Sequence, residues 1–367
     1  MGTPEMAAWR SRPAMRTYWE FFYFLEGWQG MASDTLNTAS SAKVNPLKKT
    51  IFSVEGKQTS PSLNEYYVTQ AAEVGGLADL LSVQSGYRKR DDSALSMTIL
   101  TDSFEYKSID QVIPLQPEQV FFMDYTNLDD IKGRHVLEVG LGSGVLSIFC
   151  LLNGASYCSG LEINPRAKIL TGFNCVLNGV GDRLNIIDGD AKDIFSPLRD
   201  KQFDFIYSNP PFEPTPPGME YYFNSAAGIY GLTFVEELLK GINGVLNDGG
   251  TFQMVTMAPG DRHSPFMLHE MIEQYLPGAE VEIVLDLQPI SYAGFVDRFV
   301  DIFKEDNATI DQMKDEAARR GVTHLHMLIL KYKKGMQGGV KTSWARKTYE
   351  SWQSPLGTTN ELYLEVA

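Results

Sequence analysis

Three glycines set between two apolar runs constrain this chain more than any other feature. Residues 135–152 read HVLEV, then GLGSG, then VLSIFCLL. The run of five suits a short buried strand, and the run of eight suits an apolar helix directly after the loop. Glycines between them let the backbone turn tightly and approach a ligand closely, while the helix start offers its free amides. From Pro117 onward the chain repeats this alternation. Strand-like runs lie at 158–163, 184–187, 203–207, 251–257, 281–287 and 325–330, with helical runs at 165–177, 230–246 and 265–275. The pattern predicts an α/β fold: a doubly wound, mostly parallel, seven-stranded Rossmann-like sheet covered on both faces.

The rest of the chain is arranged around that core. Residues 1–62 read as an extension and loose lead-in, with 1–30 outside the fold and upstream of a second candidate start at Met31. Residues 63–114 form a small N-terminal accessory segment: an amphipathic helical stretch over 63–81, the basic cluster Tyr87-Arg88-Lys89-Arg90, and strand-like pieces around MTIL and FEYKSIDQVI. The core domain spans 115–335. Inside it, 288–320 is a long insertion ending in a polar helix at 310–320, and 336–367 is a basic tail. The Lys and Arg total is 32 against 46 Asp and Glu, a net charge of −14, so long-range attraction to phosphate backbones is lacking. Cys150, Cys158 and Cys175 are too few and too scattered for a disulfide framework or a metal knuckle, and read as reduced core thiols of a cytoplasmic protein. No apolar stretch of about 18 residues marks a membrane span.

Candidate ligand-binding residues recur at successive strand ends, where open α/β sheets bind their ligands. Glu138, Gly140, Gly142 and Gly144 belong to the loop after the first strand. Its spacing is G-x-G-x-G, whereas the dinucleotide fingerprint would put a glycine where Val145 stands. Glu162 ends the second strand, where a carboxylate can accept from both hydroxyls of a ribose. Asp190, with the amide of Ala191, follows the third and can read an adenine edge. Singly, Glu162 also suits capping of the next helix, and Asp190 a turn. The fourth strand runs into Ser208-Asn209-Pro210-Pro211-Phe212. Two prolines in succession stiffen this loop, so the Asn209 side chain and the Pro210 carbonyl form two acceptors aimed at one point, with Phe212 against the face of a flat NH-bearing group.

In order and spacing, EVGLGSG, Glu162, Asp190-Ala191 and NPPF resemble the class I S-adenosylmethionine-dependent methyltransferases that carry an (Asn/Asp)-Pro-Pro-(Tyr/Phe) motif. The resemblance covers about residues 115–335. It implies S-adenosyl-L-methionine as cofactor, held by Glu138, Gly140, Gly142, Gly144, Glu162, Asp190, Ala191 and Asn209. It also implies Asn209, Pro210 and Phe212 at the reacting end, and no metal. The family methylates planar nitrogens: the amino groups of adenine or guanine, the glutamine side-chain amide, and some small-molecule amines. The run NPPFEP…AAGIYGLTFVEELL is most similar to the release-factor glutamine methyltransferase (HemK-like) branch, although Phe212 stands where that branch carries tyrosine. The leading expectation is therefore an N-methyltransferase acting on a small metabolite or a protein glutamine. Alternatives are a nucleic-acid base methyltransferase and an enzyme that cyclises S-adenosylmethionine without methylating an acceptor. Asp261-Arg262-His263 and the tyrosines Tyr221, Tyr222, Tyr230 and Tyr292 are further candidates for the acceptor side.

Overall fold

The first strand, β3 (His135–Val139), is buried from Val136 to Val139, and α2 (Val145–Leu152) is buried from Val145 to Leu151. Gly144 joins them as the N-cap of α2 with φ +77°, and a Cβ there would lie 2.7 Å from Thr171 Cγ2, so no other residue fits this turn. These elements belong to a computed structural model that describes residues 81–90, 93–102, 106, 108–198 and 200–349. The expected extension and lead-in, and most of the expected helical stretch over 63–81, lie outside the described residues.

Ahead of β3 come the antiparallel hairpin β1 (Leu81–Arg90) and β2 (Ser93–Asp102), then α1 (Pro117–Tyr125). After α2 the chain runs through β4 (Tyr157–Glu162), α3 (Pro165–Leu177), β5 (Leu184–Asp188), β6 (Phe203–Ser208), α4 (Thr233–Val245) and β7 (Leu246–Gly260). It continues through α5 (Phe266–Tyr275), β8 (Ala279–Leu285), β9 (Ile290–Ser291), α6 (Tyr292–Phe303), α7 (Asn307–Arg319), β10 (His324–Gln337) and β11 (Val340–Trp344). The sheet order is β11-β8-β10-β7-β6-β3-β4-β5, with β9 paired to β10. Strands β5, β4, β3, β6 and β7 are mutually parallel, and β10 is antiparallel to both β7 and β8. The fold is therefore α/β with a Rossmann-like, mostly parallel sheet, as the alternation of the sequence predicted, but the described residues give that sheet nine strands where seven were expected, because the short β9 pairs with β10 and β11 adds to β8 at the edge.

Side chains alternate between two cores. Along β10, Leu325, Met327 and Ile329 join the core that also takes residues of α1, α2, α6 and α7. Leu328 and Leu330 face the core under α4 and α5. Between β3 and β6 the winding reverses direction: β4 and β5 lie on one side of β3, while β6 and β7 lie on the other. That switch point fixes where a ligand crevice opens.

Three local expectations change. The stretch around FEYKSIDQVI is not a strand where it is described: residues 108–116 are turn and irregular chain. The Asp102 carboxylate takes the Val112 amide at 2.8 Å, so this backbone is satisfied without a ladder. The helical run expected over 230–246 is shorter, α4 covering Thr233–Val245, because the residues ahead of it form a turn and Leu246 already pairs with Phe203 as the first residue of β7. The basic stretch after Lys331 continues β10 to Gln337 and supplies β11, which pairs in parallel with β8. Four of its cations sit on carboxylates: Lys331 on Glu282, Lys334 on Asp248, Lys341 on Glu280 and Lys347 on Asp124. Among the described residues no helix is long and apolar enough to cross a membrane.

The hairpin is strapped to the core by polar groups. Arg166 Nε donates to both carboxylate oxygens of Asp102, at 3.0 and 2.8 Å, and the Asp102 side chain is fully buried. Removing Arg166 takes its guanidinium away from that buried charge, and breaking a buried pair in this way costs about 3–5 kcal/mol. Arg166→Ala should therefore lower the urea midpoint sharply, and adding Asp102→Asn should recover most of the loss. Equal midpoints for wild type and Arg166→Ala would contradict this account of the joint.

Candidate active site

A cavity of 420 Å³ opens at the switch point, lined by the ends of β3, β4 and β6, the loop after β5, the irregular segment before α1, and α6. Its floor is the glycine loop. Glu162, only 7% exposed, accepts from the Gly142 amide at 2.9 Å through Oε2 and from the Asn164 amide at 2.8 Å through Oε1. The side chain that caps α3 is Asn164, whose Oδ1 accepts from the Arg166 amide at 2.9 Å, so Glu162 holds the residue ahead of the helix and lines the cavity. Thr171 donates to the Gly142 carbonyl, and the buried Asn174 Nδ2 donates to the Ser143 carbonyl and to Leu100 of β2. Gly140 and Gly142 have open space where a Cβ would stand, and both line the cavity.

Of the residues singled out from sequence, Glu138, Gly140, Gly142, Glu162, Asp190, Ala191, Asn209, Pro210 and Phe212 all line this one cavity. Gly144 does not; it packs on Thr171 behind the loop. Glu138 is buried, and its carboxyl accepts from the Ser147 hydroxyl, which also contacts Cys158 and Tyr207. Burial pushes Glu138 up to about 8. Asp190 Oδ1 accepts from the Lys192 amide at 2.8 Å, which makes the turn that the sequence also allowed. The three cysteines are free and buried, and burial raises their thiols, Cys158 to about 12. Asp261-Arg262-His263 does not line the cavity; the Asp261 side chain caps the His263 and Ser264 amides. Tyr221 and Tyr222 line it, whereas Tyr230 and Tyr292 bond elsewhere, to Glu316 and to the Ile229 carbonyl.

Ser208 Oγ donates to the Val139 carbonyl at 2.7 Å, which pins the start of the NPPF loop to the end of β3. Gly231 has φ +72°, and a Cβ on it would meet the Phe212 carbonyl oxygen at 2.3 Å, so the glycine before α4 lets that chain pass beneath the loop. The Asn209 amide group lies beside the Glu118 carboxyl and favours its ionised form, and Asn209 Oδ1 is buried with no hydrogen-bond partner among the described residues. A buried acceptor without a donor is costly, about 1–3 kcal/mol, unless a ligand supplies the missing N–H.

Three charged cavity residues were not read from sequence: Glu118, Glu213 and Arg298. Glu118 looks like an ordinary first-turn acid of a helix with proline at its start, and only its burial against Asn209 gives it away. Glu213 directly follows NPPF and accepts from Tyr221 Oη at 2.9 Å; adjacency to the motif was its signal. Arg298 comes from α6, inside the long insertion. Among the described residues no group of three or more His, Cys, Asp or Glu side chains is placed to hold a metal ion.

Comparison with known proteins finds methyltransferases. A family model, Methyltransferase small domain, matches residues 122–276. A protein of Methanocaldococcus jannaschii, named as a candidate protein N5-glutamine methyltransferase, is 33% identical over 144 residues, covering 38% of this chain and 70% of its own length. The ribosomal protein L11 methyltransferase of Actinobacillus succinogenes is 35% identical over 76 residues, covering 21% of this chain and 26% of its own length. The chain thus spans about a quarter of that relative. Among solved structures, a candidate S-adenosylmethionine-dependent methyltransferase from Streptococcus mutans aligns over 74% of this chain and 65% of its own, at 13% identity and a TM-score of 0.41.

The chain belongs to the class I S-adenosylmethionine-dependent methyltransferases. Its cofactor is S-adenosylmethionine, and the cavity suits that molecule. Five acidic side chains line it, those of Glu118, Glu138, Glu162, Asp190 and Glu213, and the ones that are ionised complement the positive charges that the cofactor carries.

Burial, opposed by a local backbone hydrogen bond, raises Glu118 to about 7, with the nearby Glu213 charge adding to the rise and Asn209 and Gln119 opposing it. In the unfolded chain a glutamate ionises near pH 4.5, so between about 4.5 and 7 the folded protein holds a proton that the unfolded chain has lost. Stability conferred by this group therefore falls as pH rises through that window, by about 3 kcal/mol in all. Glu118→Gln should flatten that part of the profile. Denaturant unfolding at both ends of the window checks it, and parallel losses in variant and wild type would refute the assignment.

Proposed function

We propose that the chain is an N-methyltransferase whose acceptor is a planar or amine nitrogen of a small metabolite or of a protein glutamine. The observation that carries this reading is the partnerless Asn209 Oδ1, on a loop stiffened by Pro210 and Pro211, at the cavity that also contains the glycine loop. The name of the 33% identical relative, a candidate protein N5-glutamine methyltransferase, supports transfer to nitrogen. The base-methylating alternative gains little: of the six basic residues after Lys331, counted with it, four are paired with carboxylates.

In this reading Glu162 takes the ribose hydroxyls on lone pairs left free by the Gly142 and Asn164 amides, and Asp190 with Ala191 meets the adenine. Bound there, S-adenosylmethionine supplies an electrophilic methyl group, and the new N–C bond forms as the S–C bond breaks, its electron pair going to sulfur. Asn209 Oδ1 and the Pro210 carbonyl accept from the nitrogen's hydrogens and turn its lone pair toward the methyl. Phe212 covers the π-face and keeps water away. The proton lost from nitrogen leaves through Glu118 or solvent, since a carboxyl ionising near 7 exchanges protons readily at neutral pH.

Two variants separate binding from chemistry. Glu162→Ala should weaken S-adenosylmethionine binding roughly 10- to 150-fold, the equivalent of about 1.5–3 kcal/mol for a charged acceptor. Calorimetry showing unchanged affinity would remove Glu162 from the cofactor site. Asn209→Ala should instead cut turnover by about a hundredfold or more at nearly constant cofactor affinity, because misplacement of the nucleophile by about 1 Å has that effect. Wild-type turnover in Asn209→Ala would reduce the NPPF loop to a rigid turn. Products are identified by mass spectrometry after incubation with metabolite, protein and RNA extracts.

A further inference from the structure

Among the described residues that line the cavity, Arg298 is the single cationic side chain, beside five acidic ones. Its position is held from two sides. Nε donates to the Phe295 carbonyl at 3.0 Å, and the guanidinium lies 3.7 Å from the centroid of the Phe295 ring. Stacking and the Nε bond set the plane of the guanidinium and leave Nη1 and Nη2 as a two-pronged donor edge. Neither of these nitrogens has a hydrogen bond or an ion pair with any described residue. Glu213 feels the Arg298 charge but takes its hydrogen bond from Tyr221, and it forms no ion pair with the arginine. Arg298 is thus partly desolvated, oriented and unpaired. A guanidinium in that state matches a carboxylate, which it grips through two parallel N–H···O bonds.

Topology assigns this anion site to the acceptor. Arg298 sits on α6, directly after β9, which pairs with β10 on the β6–β7 side of the switch point. Gly140, Glu162 and Asp190 follow β3, β4 and β5, on the other side. The side chains around Arg298 are those of the acceptor half: Glu213 and Tyr221 couple to it electrostatically, and Tyr221 packs edge-on against Phe299 of the same helix.

We propose that Arg298 binds a carboxylate of the methyl acceptor, so that the acceptor is a small carboxylate-bearing amine or amide, such as a free amino acid, and not a glutamine inside a polypeptide. This rests on the N-methyltransferase reading, and the experiment keeps the two apart. S-adenosylmethionine labelled in its methyl group is incubated with full-length protein and with three extracts: protein, RNA, and small molecules. The small molecules are divided by anion exchange at alkaline pH, where amines are neutral and carboxylates are retained. Label is expected in the retained small-molecule fraction. With the acceptor purified from it, Arg298→Ala should raise KM about tenfold or more, the effect of losing a charge-assisted bond. Arg298→Lys should recover part of the loss, and calorimetry should show S-adenosylmethionine affinity unchanged in both variants.

Label in protein, in RNA or in the unretained fraction would overturn the proposal while leaving methyl transfer established. An unchanged KM in Arg298→Ala would overturn it as well. Cofactor affinity falling with Arg298→Ala would show that the arginine serves the carboxylate of S-adenosylmethionine itself, which also overturns it. No transfer to any fraction by a protein that binds the cofactor would overturn both this proposal and the reading beneath it.

Discussion

The cavity depends on one buried carboxylate. Glu162 sits at the end of β4 with little exposure, and an ion in that position must be surrounded by donors or lose its charge. It finds them in the Gly142 and Asn164 amides. Meeting its own need, Glu162 ties the glycine loop after β3 to the strand beside it and to the start of α3. The loop's open face, where Gly140 and Gly142 have no side chains, is thereby held toward the crevice. Burial still raises Glu162 above an ordinary glutamate, so the site is poised to gain when further donors arrive.

The same logic extends outward. Asn174, fully buried, bonds both backbone groups of Leu100 and the Ser143 carbonyl, so the N-terminal hairpin and the glycine loop share one side chain. Asp102, at the end of that hairpin, takes Arg166 from the first turn of α3 and the Val112 amide. Asn164 Nδ2 then donates to the Asp110 carbonyl, and Asn224 Nδ2 to that of Gln111. The irregular segment over 108–116 is therefore a wall fastened to both halves of the crevice, which explains how chain without regular structure can line a defined site.

Sequence patterns made the sheet and the glycine-loop end of the crevice legible because both are local. Alternating apolar runs report the strands, and the glycines, Glu162 and Asp190 each lie within a few residues of a strand end. Gly144 illustrates the limit: it belongs to the same motif, but its φ serves the helix start and its missing side chain makes room for Thr171, not for the cavity. The acceptor end is different. Glu118 comes from a helix ahead of the sheet, Glu213 from the loop after β6, and Arg298 from the insertion after β8. No spacing rule links positions 118, 213 and 298, because tertiary packing alone brings them to one cavity.

That non-local origin has a physical consequence. The cofactor end sits on parallel strands and cannot change without disturbing the sheet. Elements of the acceptor end pack on the sheet through aromatic contacts, Tyr221 against Phe299 and Phe303, and through one fully buried face of α7 at Ile310, Met313 and Ala317. Polar residues on their cavity side are not needed for that packing, so Glu118, Glu213 and Arg298 are free to vary in identity while the fold stays the same. Yet each is desolvated at a cost to the fold, and Asn209 Oδ1 is left buried without a donor. Costs gathered at one end of one cavity, with no return visible in the protein alone, are what a site looks like before its ligand arrives. The combination of a buried oxygen acceptor, two raised carboxyls and one fixed guanidinium is what the proposed acceptor, with an N–H at one end and an anion at the other, would meet.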